Sequence, residues 1–195
     1  MIYPIVAYGD PVLRKKTKEI AKDYPDIKTL IENMWETMYS SSGVGLAAPQ
    51  IGNSIRLFVV DSNQILDNLE DKEESDWKDD VGIKEVFINA KVINKKGEEW
   101  VYNEGCLSIP KIREDVTRPD EVHVQYYDAD FKFHDKVFAG LSGRIIQHEY
   151  DHIEGVLFID HLKPLKKRLL KRKLEEISQG KVKVDYRMRF PKVVK

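Results

Sequence analysis

Residues 147–152 read QHEYDH, and they lie within a stretch, 140–154, whose apolar residues recur at helical spacing. On an α-helix His148 and His152 stand one turn apart, so both imidazoles project from one face and can grip a single ion. Glu149 sits beside them with reach to a water on that ion. Leu141 and Ile145 fall on the same face, two turns and one turn earlier, which sets an apolar wall next to the histidines. Upstream the period changes. Residues 55–60 (IRLFVV), 85–89 (EVFIN), 91–94 (KVIN), 99–103 (EWVYN), 121–127 (EVHVQYY) and 131–138 (FKFHDKVF) are short, rich in β-branched and aromatic side chains, and separated by Asp, Gly, Asn and Lys. They read as strands, mostly antiparallel. Residues 25–39 (PDIKTLIENMWETMY) space Ile27, Leu30, Ile31, Met34, Trp35 and Met38 as an amphipathic helix, with Pro25 suited to its first turn. Helix, strands, helix, helix is an α+β order: mostly antiparallel sheets around a central metal-binding helix, with a C-terminal helix.

The chain has 195 residues, 42% hydrophobic and 33% charged, which suits one domain over 1–195 and excludes collagen-like or largely disordered material. No apolar run approaches the roughly 20 residues that span a bilayer, so no membrane partner is expected. The N-terminus, MIYPIVAYGDPVLRKK, lacks a signal core and a small-residue cleavage site, so the expected compartment is a cytosol.

The formal net charge of −1 hides two opposed segments. Residues 61–80 carry nine Asp/Glu against two Lys and read as a solvated acidic surface insertion. Residues 161–195 carry thirteen Lys/Arg against three Asp/Glu. There, over 163–179, the spacing predicts a basic helix packing through Leu162, Leu165, Leu169, Leu170, Leu174 and Ile177, with Gly180 as its stop. Its cationic face either keeps the protein soluble or meets a nucleic acid or another acidic surface.

The lone cysteine, Cys106, has no intrachain disulfide partner and is a packed side chain, a nucleophile or a metal ligand. A hydrolytic ion site needs a third protein ligand and an open position. The metzincin extension would put His where Phe158 stands, so that family is excluded. His161, Glu175 and Glu176 remain as downstream third ligands, against Cys106 upstream in NEGCLSIP, where Gly105 and Ser108 suggest an exposed turn at a strand end.

In SSSGVGLAAPQIG, residues 40–52, Gly43, Gly45 and Ala48 mimic a dinucleotide fingerprint, with Asp61 as the ribose acid. The context contradicts it, because a helix precedes the glycines and Pro49 interrupts any helix after them. Glycine also lets a bound peptide approach the backbone, and the Gln50 amide suits an oxyanion.

Taken together, GVGLAAPQ (43–50), EGCLS (104–108) and HEYDH (148–152) resemble, in order, the three motifs of the peptide deformylase family: G-φ-G-φ-A-A-x-Q, E-G-C-φ-S and H-E-φ-D-H, with φ apolar. The resemblance extends to DPVLR with Arg14, the helix at 25–39 and the GVLFID and HLKPL runs, and so covers nearly the whole chain. The insertion at 61–80 departs from the pattern, which bears on loop structure and not on chemistry.

The resemblance implies that Cys106, His148 and His152 bind one divalent ion, Fe²⁺ in the cell, replaceable by Zn²⁺, Ni²⁺ or Co²⁺, with water in the fourth position. Glu149 would be the general base and acid in removing the formyl group of an N-formylmethionyl nascent peptide, with release of formate. Gln50 and the backbone N–H of Leu107 are similar to the family's oxyanion donors. Val44, Leu141 and Ile145 would form the methionine pocket, and Gly43, Gly45 and Ile109 would run along the substrate. Arg144 would edge that pocket or pair with an acid, while Arg118 and Asp151 look like the ion pair that braces the metal helix. The resemblance also suggests docking of the basic helix near the ribosomal exit tunnel, in a bacterial cytosol. Two rivals stand beside it. A zinc endopeptidase would take a downstream acid as third ligand, and a nucleic-acid module led by the basic helix would account for none of the first 160 residues.

Overall fold

The computed structural model describes residues 1–69, 77 and 79–191. In chain order its elements are β1 (Ile5–Val6), α1 (Ile27–Ser40), β2 (Gly45–Ala47), β3 (Leu57–Asp61), α2 (Asn63–Leu66), β4 (Lys84–Cys106), β5 (Ile109–Tyr127), β6 (Phe133–Phe138), α3 (Gly140–Ile153), α4 (Pro164–Ser178) and β7 (Met188–Arg189). Five strands form one antiparallel sheet in the order β2-β3-β4-β5-β6, a mixed helix and sheet architecture as expected.

The period of β3 explains how the core is divided. Leu57 and Val59 pack toward α1 with Met34, Met38 and Leu46, while Phe58 and Val60 face α3 with Leu141, Ile145 and Ile146. Helices on both faces leave all five residues of β3 buried, which is why this stretch reads as a continuous apolar run. Each such side chain contributes about 1.5–3 kcal/mol by leaving water.

The strands expected separately over 85–89, 91–94 and 99–103 are one 23-residue strand, β4, paired along its length with the 19-residue β5. Register shifts break the ladder between Ile88 and Lys91, Val92 and Asn94, and Lys96 and Glu99, with Asn89 and Gly97 at positive φ nearby. The polar middle of the hairpin is exposed, so neither face carries the apolar alternation that marks a strand. The first half of β5 escaped the sequence reading because Pro119 and the charged run 113–115 argue against a strand. Yet Ile112, Val116 and Arg118 are buried there.

The apolar stripe expected on the basic helix is corrected. Leu170, Leu174 and Ile177 of α4 pack against Leu13, Ile112 and Phe158, but Leu165 and Leu169 are 69% and 68% exposed. At 3.6 residues per turn these two point about a quarter turn or more away from the packed line. Part of the acidic segment, namely 70–76 and 78, lies outside the described residues. Of the remainder, Asp61 closes β3 and is buried, and Asp80 accepts hydrogen bonds from the backbone N–H and hydroxyl of Ser142, both at 2.8 Å. Ser142 lies in the first turn of α3, where a carboxylate opposes the positive helix end. After α4 the chain turns at Gly180 (φ +73°) and returns as β7, parallel to β1. No helix among the described residues is long and apolar enough to cross a membrane.

Candidate metal centre and active site

α3 presents His148, Glu149 and His152 toward the end of β4. Cys106 is the last residue of β4, and a two-residue turn, Leu107 and Ser108, leads to Ile109 opposite it in β5. This hairpin end carries the thiol to the helix: Cys106 Sγ lies 3.3 Å from His152 Nε2, and one donor atom from each of Cys106, His148 and His152 falls within 4.8 Å of the others. Burial alone would raise the thiol pKa, but His152 and His148 beside it win, and Cys106 is held at about 5. Burial opposes a charge on His148 as well, yet the thiol of Cys106 and the carboxylate of Glu104 raise its pKa well above the usual imidazole range. A thiol held ionised beside two imidazoles, with their donor atoms within 4.8 Å of one another, is the chemistry of a tetrahedral site with one position left for water, so the donor set fits a divalent ion.

Behind the donors runs a buried polar chain. His148 Nδ1 bonds to Glu104 Oε2 at 2.9 Å, leaving Nε2 for the cluster. Arg118 donates Nε to Glu104 Oε1 at 2.7 Å and Nη1 to Asp151 Oδ2 at 2.6 Å, and His161 Nε2 meets the same Asp151 oxygen at 2.7 Å. The Arg118–Asp151 pair expected from sequence is therefore present. Despite burial, His161 and Arg118 hold Asp151 at about 2. No role for Glu104 follows from the sequence. Its signal was position: two residues before Cys106 on a strand, it shares the thiol's face. Arg144 does both things left open for it, lining the cavity and pairing with Glu104 at 3.2 Å, while its guanidinium sits 4.1 Å over the Trp100 ring.

Glu149 is 4% exposed, and its Oε2 has no hydrogen-bond partner among the described residues. Burial pushes its carboxyl up to about 7 against the pull of His152 and His148. A Cβ on Gly45 would stand 2.5 Å from Glu149 Oε1, so a side chain there would displace the carboxylate. Gln50 is fixed by its Oε1, which accepts from Ala47 N at 2.8 Å, and this turns Nε2 toward Cys106 Sγ (3.5 Å) and Ser108 Oγ (3.4 Å).

A cavity of about 660 Å³ opens over these groups. Val44, Leu141 and Ile145 line it, as do Gly43, Gly45 and Ile109, and Gln50 and Leu107. Cys106, His148 and Glu149 reach it as well, whereas His152 is buried behind, 1% exposed. Val184, Asp185 and Tyr186 line it too, without having been expected. Of the alternative third ligands, His161 is engaged by Asp151 and Glu176 by Arg172, and neither they nor Glu175 joins the donor cluster.

The polypeptide deformylase family model matches residues 2–168. The chain is 53% identical over 195 residues to a peptide deformylase of Christiangramia forsetii, covering 100% of this chain and 99% of that protein. It is 55% identical over 190 residues to one from Flavobacterium johnsoniae, covering 97% and 96%. Among solved structures, a peptide deformylase from Legionella pneumophila superposes with a TM-score of 0.76 at 35% identity, covering 93% of this chain and 98% of that one. The endopeptidase alternative finds no support in these relatives.

Proposed function

The chain belongs to the polypeptide deformylase family, and from that premise we propose how its residues divide the work of removing the formyl group from N-terminal formylmethionine of nascent polypeptides. The enzyme is a metal-dependent hydrolase that releases formate. One observation carries the assignment: a thiolate and two imidazoles gathered within 4.8 Å beside a buried carboxylate oxygen that has no partner among the described residues.

Cys106, His148 and His152 would hold one divalent ion, Fe²⁺ as in the family this chain resembles, with Zn²⁺, Ni²⁺ or Co²⁺ able to substitute because a thiolate with two imidazoles suits all of them. Such an ion, when bound, activates water and polarises the formyl carbonyl. Glu149 accepts the proton of the attacking water, a task matched to a carboxyl raised to about 7, and returns it to the leaving amine. The Gln50 amide and the Leu107 N–H donate to the formyl oxygen as negative charge develops on it. Val44, Leu141 and Ile145 receive the methionine side chain, and Gly43, Gly45 and Ile109 leave room for the substrate backbone. The chain acts as one domain, because the site draws on residues from Gly43 to Tyr186. Its substrate is a nascent chain, so we assign it to a bacterial cytosol. The exposed Lys166, Lys167, Arg168, Lys171, Arg172 and Lys173 of α4 are suited to ribosomal RNA near the exit tunnel.

The test is formate release from a formylated methionyl tripeptide by protein purified without oxygen, with metal analysis and an acetylated peptide as control. Formate from the first peptide alone, with about one iron per chain, is expected. Absence of turnover in the metal-loaded protein overturns the assignment.

A further inference from the structure

The turn that carries Leu107 is held from outside the hairpin. Two-residue hairpin turns match the twist of their strands when their residues take positive φ. Neither Leu107 nor Ser108 does, and the ladder shifts register between Gly105 and Cys106. The Leu107–Ser108 peptide is the central one of the turn, the plane whose rotation distinguishes one turn type from another. Its carbonyl oxygen, that of Leu107, accepts a hydrogen bond from the Tyr186 hydroxyl at 2.8 Å. The next carbonyl, of Ser108, accepts from Tyr8 N, also at 2.8 Å.

Tyr186 belongs to residues 181–191, beyond the span 2–168 that matches the family model. This segment is anchored rather than loose. Ile5 N donates to Arg187 O at 2.8 Å and Ala7 N to Arg189 O at 2.9 Å. Met188 packs between two of the core clusters, and Phe190 lies against Gly180. A Cβ on Gly52 would stand 2.6 Å from the Arg189 guanidinium, so the segment also closes over the turn after Gln50.

We propose that residues 181–191 form a strap completing the active site and that Tyr186 is its positioning residue, clamping the Leu107–Ser108 peptide so that the Leu107 N–H on the preceding peptide and the neighbouring thiol keep their places. This rests on the assignment of Leu107 N–H as an oxyanion donor. The Tyr186 hydroxyl is committed to the Leu107 carbonyl, so it acts through the turn. Val184 and Asp185 bring the strap to the cavity wall beside it.

The experiment uses the full-length, metal-loaded enzyme with a formylated methionyl tripeptide. Tyr186→Phe keeps the ring and deletes the clamp. The expected result is a fall in kcat of about 5- to 10-fold, the scale of one hydrogen bond, with KM within twofold, metal content unchanged and Tm lowered by no more than a few degrees, too little to unfold the enzyme at the assay temperature. A kcat within twofold of wild type overturns the proposal, as does a change confined to KM or a loss that tracks unfolding at the assay temperature or lowered metal content. Gln50→Ala, measured in parallel, separates the two assignments. If it loses kcat while Tyr186→Phe does not, the oxyanion assignment stands and the strap is structural. If neither variant loses kcat, both fall.

Discussion

Glu104 Oε2 lies 2.9 Å from His148 Nδ1, so the ring of a histidine in the Cys106–His148–His152 donor cluster is oriented by a carboxylate that also binds Arg118 and Arg144. A buried acid in contact with two guanidiniums stays ionised, and Glu104 is accordingly held below the usual carboxylate range: burial opposes the charge, but His148 and Arg118 outweigh it. Glu104→Gln should therefore weaken metal binding about 10- to 100-fold. It should also cost about 3–5 kcal/mol of stability, because the arginines lose their buried counter-charge. Competition with a chelator and denaturant titration measure the two effects; unchanged metal affinity would remove Glu104 from the orienting role.

Glu149→Gln should retain the metal and lose turnover by about 10²- to 10⁴-fold, since ligation depends on other residues while proton transfer depends on this carboxylate. Metal analysis beside kcat decides it, and near wild-type turnover in the loaded variant contradicts the assignment.

Cys106→Ser should lower affinity for Fe²⁺ and Zn²⁺, a hydroxyl being a far poorer donor than a thiolate held at about 5. Peroxide should inactivate the wild type by oxidising the thiolate or the ion. A serine variant with unaltered affinity and activity would transfer the ligand role elsewhere.

Gly45→Ala places a methyl carbon 2.5 Å from Glu149 Oε1, closer than the two can stand. A displacement of about 1 Å in a reacting group costs on the order of 10² in rate, so kcat should fall by that much while the metal stays bound. Full activity in the alanine variant would mean that Glu149 has room the structure does not show.

For the basic helix, Arg168, Lys171 and Lys173 are the informative targets, because Lys166 pairs with Glu114 at 2.8 Å, Arg172 pairs with Glu176 at 3.1 Å and Lys167 donates to the Asp160 carbonyl at 2.6 Å. Reversing the three charges should reduce ribosome co-sedimentation and flatten its salt dependence by about three in slope, leaving turnover of a short formylated peptide intact. Equal sedimentation of variant and wild type at low salt would make this a solvated face.

What the sequence determined by itself is what local spacing encodes. One turn separates His148 from His152 on any helix, so their shared face needed no tertiary information, and the apolar periods of 25–39 and 140–154 led to α1 and α3 within a residue or two. Gly45 and Gln50 were legible as types, because small and amide side chains suit a bound backbone and an oxyanion. The relations that complete the site are long-range, and only the folded chain decides them. Cys106 reaches His152 across 46 residues because a hairpin too polar to read as a continuous strand ends against α3. Glu104 acquired its role only when Arg118, Arg144 and His148 converged on it in a buried place where each charge requires a partner. Leu165 and Leu169 were counted into a packing stripe that the core covers only in part, because periodicity marks an apolar face without saying what lies opposite. Tyr186 shows the same limit most plainly: nothing in RMRFPKVVK or the residues before it announces a partner in Leu107, and the contact exists because β7 pairs with β1 at the other end of the chain.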